Sequence, residues 1–225
     1  MRRTVHDAAC GALTLAEVKI CGLREAEHVA AAVEAGARFL GFVFFPKSPR
    51  AVTPQQAARL VADVPPGVAR VGLFVDPSDA LLSEVLETGA LDVIQLHGHE
   101  SAARVAEVKA LSGLPVMKAV GLSGPDDLAQ LVDYGVVADM LLVDAKPPKG
   151  ADLPGGNGLA FDWRLLVGRR WLRPWMLAGG LTPDNVAEAV RLTGAPVVDV
   201  SSGVESAPGV KDVALIRAFV AAARE

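Results

Sequence analysis

Cys21 and Asp144 are the residues of this sequence whose types and settings best suit proton transfer. Cys21 closes the first strong apolar run, Val18-Lys19-Ile20-Cys21, and Asp144 closes a later one, Met140-Leu141-Leu142-Val143-Asp144. A carboxyl group can protonate an oxygen and a thiolate can remove a proton from carbon, so the two could work as acid and base on one substrate. If Cys21 faces a cleft, strand alternation puts Lys19 on the same side one step deeper, where its ammonium favours the thiolate. Taken alone, Cys21 also reads as a small packed hydrophobe, and Asp144 as a helix cap or ion-pair partner.

Other run ends suggest where anions would be held. Arg50, in Pro46-Lys47-Ser48-Pro49-Arg50, carries a fork suited to a carboxylate, though a surface charge is the alternative. Gly179-Gly180, ahead of a helix expected to start near Thr182, and Ser202-Gly203 offer side-chain-free backbone that can approach a phosphate closely. His97 reads as a wall of the site or as a polar strand end, and Asp76, before Pro77-Ser78, as a helix cap rather than a catalytic group. Asp199 and Ser201, two apart, share a strand face. The Gly- and Pro-rich stretch from Lys146 to Phe161 is long for a strand-to-helix connection, and such a loop can close over a substrate.

The elements that must hold these residues are legible as repeated βα units. Strands are expected at Val18–Cys21, Phe39–Phe44, Arg70–Val75, Asp92–His97, Val116–Val120, Met140–Asp144, Trp175–Ala178 and Val197–Val200, eight in all. Most are continuously apolar, as strands covered on both faces are. Helix starts are signalled at Thr53-Pro54, Asp76-Pro77-Ser78, Gly124-Pro125-Asp126-Asp127 and Thr182-Pro183-Asp184, and helix ends at Gly36, Gly89 and Gly194. Eight such units predict an α/β fold, a single (β/α)8 TIM barrel over residues 17–225 with a short irregular leader at 1–16. A doubly wound open sheet competes, but no glycine-rich dinucleotide fingerprint follows the first strand. In a barrel the catalytic rim is formed by the C-terminal strand ends, where Cys21, Arg50, His97, Asp144 and Asp199 lie, and phosphates are often held after strands seven and eight.

Composition excludes several classes. With 51% hydrophobic and 21% charged residues among 225, the chain suits a soluble globular protein with a large core. A net charge of −4, with the 22 Lys and Arg scattered, argues against nucleic acid as a partner. No apolar run approaches the ~18 residues of a membrane-spanning helix. Two cysteines, Cys10 and Cys21, are too few for a disulfide framework or a CxxC metal site, so a reducing cytoplasm is the expected setting and no metal is expected. The apolar fraction fits a monomer or a homodimer equally.

Taken together and in order, "VKICGL", "GFVFFPKSPRAVT", "VGLFVD", "IQLHGHE", "LLVDA", "GGNGLAFDW", "LAGGLTPDNV" and "DVSSGVES" resemble the phosphoribosylanthranilate isomerase family of tryptophan biosynthesis, from about Val18 to the C-terminal helix. The resemblance implies an intramolecular aldose-ketose isomerase without cofactors, acting on a phosphosugar. It would carry out the Amadori rearrangement of N-(5-phosphoribosyl)anthranilate to 1-(2-carboxyphenylamino)-1-deoxyribulose 5-phosphate. It further implies Asp144 as general acid, Cys21 as general base, Arg50 on the anthranilate carboxylate, and the phosphate on backbone around Gly179, Gly180, Ser202 and Gly203, assisted by the glycine-rich loop containing Gly156. His97 and Asp199 join the substrate site by their own places at strand ends rather than by the resemblance, and for Asp199 a structural role is equally open. This chain departs from the family pattern at Asn157 and Leu159, where the family commonly has Ser or Thr and then Lys or another polar residue. A related isomerase of histidine biosynthesis, which has aspartate in place of Cys21, and a catalytically silent phosphosugar-binding barrel are the competing readings.

Overall fold

The computed structural model describes residues 15–146, 155, 156, 158 and 160–225. The expected leader, apart from Leu15 and Ala16, lies outside the described residues, as do Cys10, Asn157, Leu159 and residues 147–154. Eight parallel strands close into a barrel in sequence order: β1 (Glu17–Cys21), β2 (Phe39–Val43), β3 (Ala69–Phe74), β4 (Val93–Leu96), β5 (Val116–Leu122), β6 (Met140–Ala145), β7 (Trp175–Leu177) and β8 (Val197–Val200). Closure comes from β1 against β8, where Lys19 pairs in register with Asp199. The helices are α1 (Ala26–Ala35), α2 (Pro54–Leu60), α3 (Asp79–Glu87), α4 (Ala102–Ser112), α5 (Ala129–Val137), α6 (Val186–Thr193) and α7 (Val213–Ala222). Among the described residues no helix is long and apolar enough to cross a membrane.

Two apolar clusters follow from the period-two alternation of strands flanked by helices. Val71, Val93, Met117, Leu142, Met176 and Val197 fill the barrel interior, while the alternate strand residues, such as Ile20, Leu40 and Phe74, pack with Val29, Leu82, Val105 and Phe219 of the helices. Burial of the latter layer supplies most of the driving force, at roughly 25 cal/mol per Å² of apolar surface removed from water. Above the interior cluster the inward residues turn polar, and the site begins there.

The expected signals act as their chemistry requires at α2, where Thr53 and Gln56 form a reciprocal capping box ahead of Pro54, and at Gly36 and Gly194, which end α1 and α6 in the left-handed conformation. Four expectations need correction. Ser78, not Asp76, caps α3, because its extended backbone sets the hydroxyl on the Leu81 N–H; Asp76 lies two residues earlier at φ 45°. Gly124-Pro125 opens a 3-10 turn, Pro125–Leu128, that leads into α5. Helix α6 starts at Val186 rather than near Thr182: the Asn185 side chain accepts the Thr182 N–H and donates to Gly180 O, holding a turn in place of the first helical residues. In the sixth unit the described residues form only a 3-10 turn, Trp163–Leu166, where a helix was expected. A short antiparallel hairpin, β9 (Glu205–Ala207) with β10 (Val210–Lys211), is inserted between β8 and α7.

Candidate active site

All ten sequence-selected site residues come together at the C-terminal end of the barrel. Cys21, Arg50, His97, Asp144, Gly156 and Asp199 line a cleft of about 480 Å³, with Ser48, Phe45 and Ser201. Gly179, Gly180, Ser202 and Gly203 line an adjoining one of about 420 Å³, and Asp144, Gly155, Gly156, Asp199 and Ser201 border both. Volumes of this size suit a small organic ligand. The two compartments differ in kind, because one presents side chains and the other mainly backbone.

Cys21 is buried and its neighbourhood is charged. Lys19, fully buried one step deeper, donates to Asp199 Oδ1 at 2.8 Å. Burial acts to lower the Lys19 ammonium, but Asp199 and Cys21 outweigh it and hold the group above its ordinary value. Burial pushes the Cys21 thiol up, Lys19 and more weakly Lys211 pull against that, and Asp199 adds to it. The thiol is thus a stronger base once ionised, with two cations placed to favour ionisation.

On the opposite wall Asp144 Oδ1 accepts its neighbour's N–H, from Ala145, at 2.7 Å, and Oδ2 lies 3.3 Å from His97 Nε2. The Gln95 amide meets the other ring nitrogen, His97 Nδ1, at 3.0 Å and fixes the imidazole orientation. The buried Gln95 Oε1 has no hydrogen-bond partner among the described residues. Gly179 sits at φ 89°, and a Cβ there would come within 2.8 Å of Ala145 N, so only glycine lets the chain after β7 lie this close to Asp144 and Ala145.

Arg50 is already engaged. Its Nε and Nη2 donate to the two oxygens of Glu205 at 2.7 and 2.8 Å, and Nη2 also donates to Gly156 O at 3.4 Å. The bidentate partner in this structure is therefore an internal carboxylate, Nη2 is shared between Glu205 and Gly156 O, and Nη1 is the nitrogen with no hydrogen-bond partner among the described residues. Lys211, on β10, donates to Glu205 Oε1 at 2.7 Å and to Ser201 O at 2.9 Å. Burial acts to raise Glu205, but Arg50 and Lys211 outweigh it and hold the carboxyl below its usual range. Burial pushes Lys211 down despite Glu205.

Glu205 and Lys211 escaped the sequence reading. Their signal was the Pro208-Gly209 turn dipeptide, which sets Glu205 and Lys211 across from each other on a hairpin too short to show alternation.

The family profile described as N-(5'phosphoribosyl)anthranilate (PRA) isomerase matches residues 18–222. The chain belongs to this family. An N-(5'-phosphoribosyl)anthranilate isomerase of Paracoccus denitrificans is 73% identical over 206 residues, covering 92% of this chain and 96% of the relative, and one of Cereibacter sphaeroides is 63% identical over 207 residues, covering 92% and 98%. Among solved structures, the phosphoribosyl anthranilate isomerase of Thermotoga maritima superposes with a TM-score of 0.83 at 37% identity, covering 92% of this chain and 98% of that one. Another isomerase structure, with TM-score 0.80, 36% identity and the same coverage, holds reduced 1-(o-carboxyphenylamino)-1-deoxyribulose 5-phosphate. Membership in the phosphoribosylanthranilate isomerase family and the eight-stranded barrel agree with the expectation drawn from the motifs at the strand ends.

Proposed function

We propose that this chain is a phosphoribosylanthranilate isomerase of tryptophan biosynthesis, converting N-(5-phosphoribosyl)anthranilate to 1-(2-carboxyphenylamino)-1-deoxyribulose 5-phosphate by acid-base catalysis. The observation that carries the reading is one cleft bordered by Cys21 and Asp144, with Arg50 in it and the glycine-rich backbone of Gly179, Gly180, Ser202 and Gly203 in the adjoining compartment. The substrate is anionic at both ends, and the phosphate goes to the backbone compartment and the anthranilate carboxylate to Nη1 of Arg50. Those two grips are remote from the reacting carbons and supply binding energy for positioning them.

Asp144 gives its proton to the furanose ring oxygen as the C1–O bond breaks, and the nitrogen lone pair forms a C=N bond, leaving an open-chain iminium. The C2 hydrogen is then acidic, and the Cys21 thiolate removes it; the electron pair of the C2–H bond becomes a C1=C2 double bond and neutralises the iminium. Loss of the C2 hydroxyl proton and protonation of C1 give the ketose. The step sequence is redox-neutral overall and no covalent bond to the cysteine forms. His97, held by Gln95 and touching Asp144, orients the acid, and Lys19 and Asp199 surround the base. A phosphorylated intermediate is costly to move through a bilayer, which supports a cytoplasmic setting.

The test is a steady-state assay of the purified chain with freshly generated phosphoribosylanthranilate, followed by fluorescence, with the product identified because the substrate also hydrolyses unaided. Formation of the carboxyphenylamino-deoxyribulose phosphate is the expected result. A folded protein that binds phosphate and yields none would overturn the assignment.

A further inference from the structure

We propose that the β9–β10 hairpin is a positioning element of the site: Glu205 aims Arg50, and Lys211 supports the thiolate of Cys21. The inference rests on the acid-base reading above. Three contacts carry it, and they form one continuous chain across the rim. Glu205 grips Arg50 through both oxygens, Lys211 bridges Glu205 to Ser201, and Ser201 Oγ donates to Cys21 O at 3.1 Å. The hairpin is in turn seated on the loop that presents Arg50: a Cβ on Gly209, at φ 80°, would come within 2.5 Å of Pro49 O, and the Gly209 N–H donates to Glu205 Oε2 at 3.1 Å.

The chain of contacts does more than stiffen the rim. A side-on pair with Glu205 fixes the guanidinium plane and, with Gly156 O on Nη2, leaves Nη1 to meet a ligand, so Glu205 sets the direction from which a carboxylate is received. Lys211 is buried and brings a second cation toward the thiol. The charged groups facing Cys21 are Lys19 on its own strand, Asp199 from β8, Lys211 from β10 and Arg50 from the loop after β2, with His97 and Asp144 across the cleft. Lys19 is matched by Asp199, whereas Glu205 is shared by Lys211 and Arg50, so loss of either lysine removes a cation that favours the thiolate.

The two residues are separated by different readouts. Glu205→Gln is expected to raise KM about tenfold and leave kcat within about twofold, since only the grip on the carboxylate slackens. Lys211→Met is expected to move the limb of the kcat/KM profile governed by Cys21 to higher pH by about one unit, and Lys211→Arg to restore it. The pH dependence of Cys21 alkylation by iodoacetamide, read by peptide mass so that Cys10 is separated, should move with that limb and needs no substrate. It therefore still tests Lys211 if the wild-type chain proves inactive on phosphoribosylanthranilate, which would sink the proposed function alone. Should Lys211→Met not fold, the Glu205→Gln/Lys211→Met pair, which strands no buried carboxylate, carries the same measurement. Folded variants with the wild-type limb and alkylation profile, an unchanged KM in Glu205→Gln, or failure of both Lys211→Met and the pair variant to fold, would overturn the proposal.

Discussion

Two strands of the barrel, β1 and β5, each carry a buried lysine bonded to a carboxylate, and the two lysines serve opposite ends. Lys19 points from β1 into the interior and meets Asp199 at 2.8 Å; Lys118 points from β5 toward the helices and meets Glu100 at 2.7 Å, under the ring of Tyr134. Residue type, burial and distance hardly distinguish them. The surroundings do. Glu100 also accepts the N–H groups of Asp76 and Gly98, and Lys118 also donates to Gly98 O, so that pair is saturated and ties the turns after β3 and β4 together. Asp199 borders both compartments of the cleft and Lys19 lies beside the thiol. A buried ion pair belongs to the chemistry when its remaining capacity faces a cavity, and to the scaffold when that capacity is spent on backbone.

Substitutions on the two sides should separate accordingly. On the interior side the largest effect belongs to the two groups proposed to transfer protons: Cys21→Ala or Asp144→Asn should cut kcat by about 10²–10⁴-fold with ligand binding largely kept. On the helix side Lys118→Met should cost about 3–5 kcal/mol in urea unfolding, because Glu100 is left buried without its cation, while kcat of the folded protein stays within about twofold. Equal loss of turnover from Lys118→Met would break the comparison. Lys19→Met should sharpen it by displacing the Cys21 titration to higher pH, since burial already pushes the thiol up and the first force opposing it is removed.

The smallest effect belongs to a third ion pair that shares no residue with those two. Lys146 and Ser123 bind Asp127 and hold its carboxyl down to about 2. A depressed carboxyl stabilises the fold above its unfolded pKa of about 3.9 and loses that contribution as pH falls through its folded value. Asp127→Asn should therefore lower Tm modestly at pH 7, and the difference from wild type should vanish between about pH 4 and 2.

Most of the frame was legible because β-strands covered on both faces must be apolar throughout, and such runs stand out between amphipathic segments; the Val197–Val200 strand was read to the residue. The rim residues were legible because they are polar groups ending apolar runs. What escaped depends on distance in space. Nothing around Arg50 announces Glu205, which lies 155 residues on, and the hairpin holding it is too short for periodicity. Helix α6 begins late because the Asn185 side chain satisfies Thr182 N–H, a local competition between side chain and backbone that the Thr182-Pro183 signal conceals.

The most direct test of the acid-base account measures binding and turnover on the same Asp144→Asn protein, with reduced carboxyphenylamino-deoxyribulose phosphate as the binding probe. The account predicts an affinity within about threefold of wild type and turnover lower by about 10²-fold or more. Turnover close to wild type, with binding intact, would contradict it.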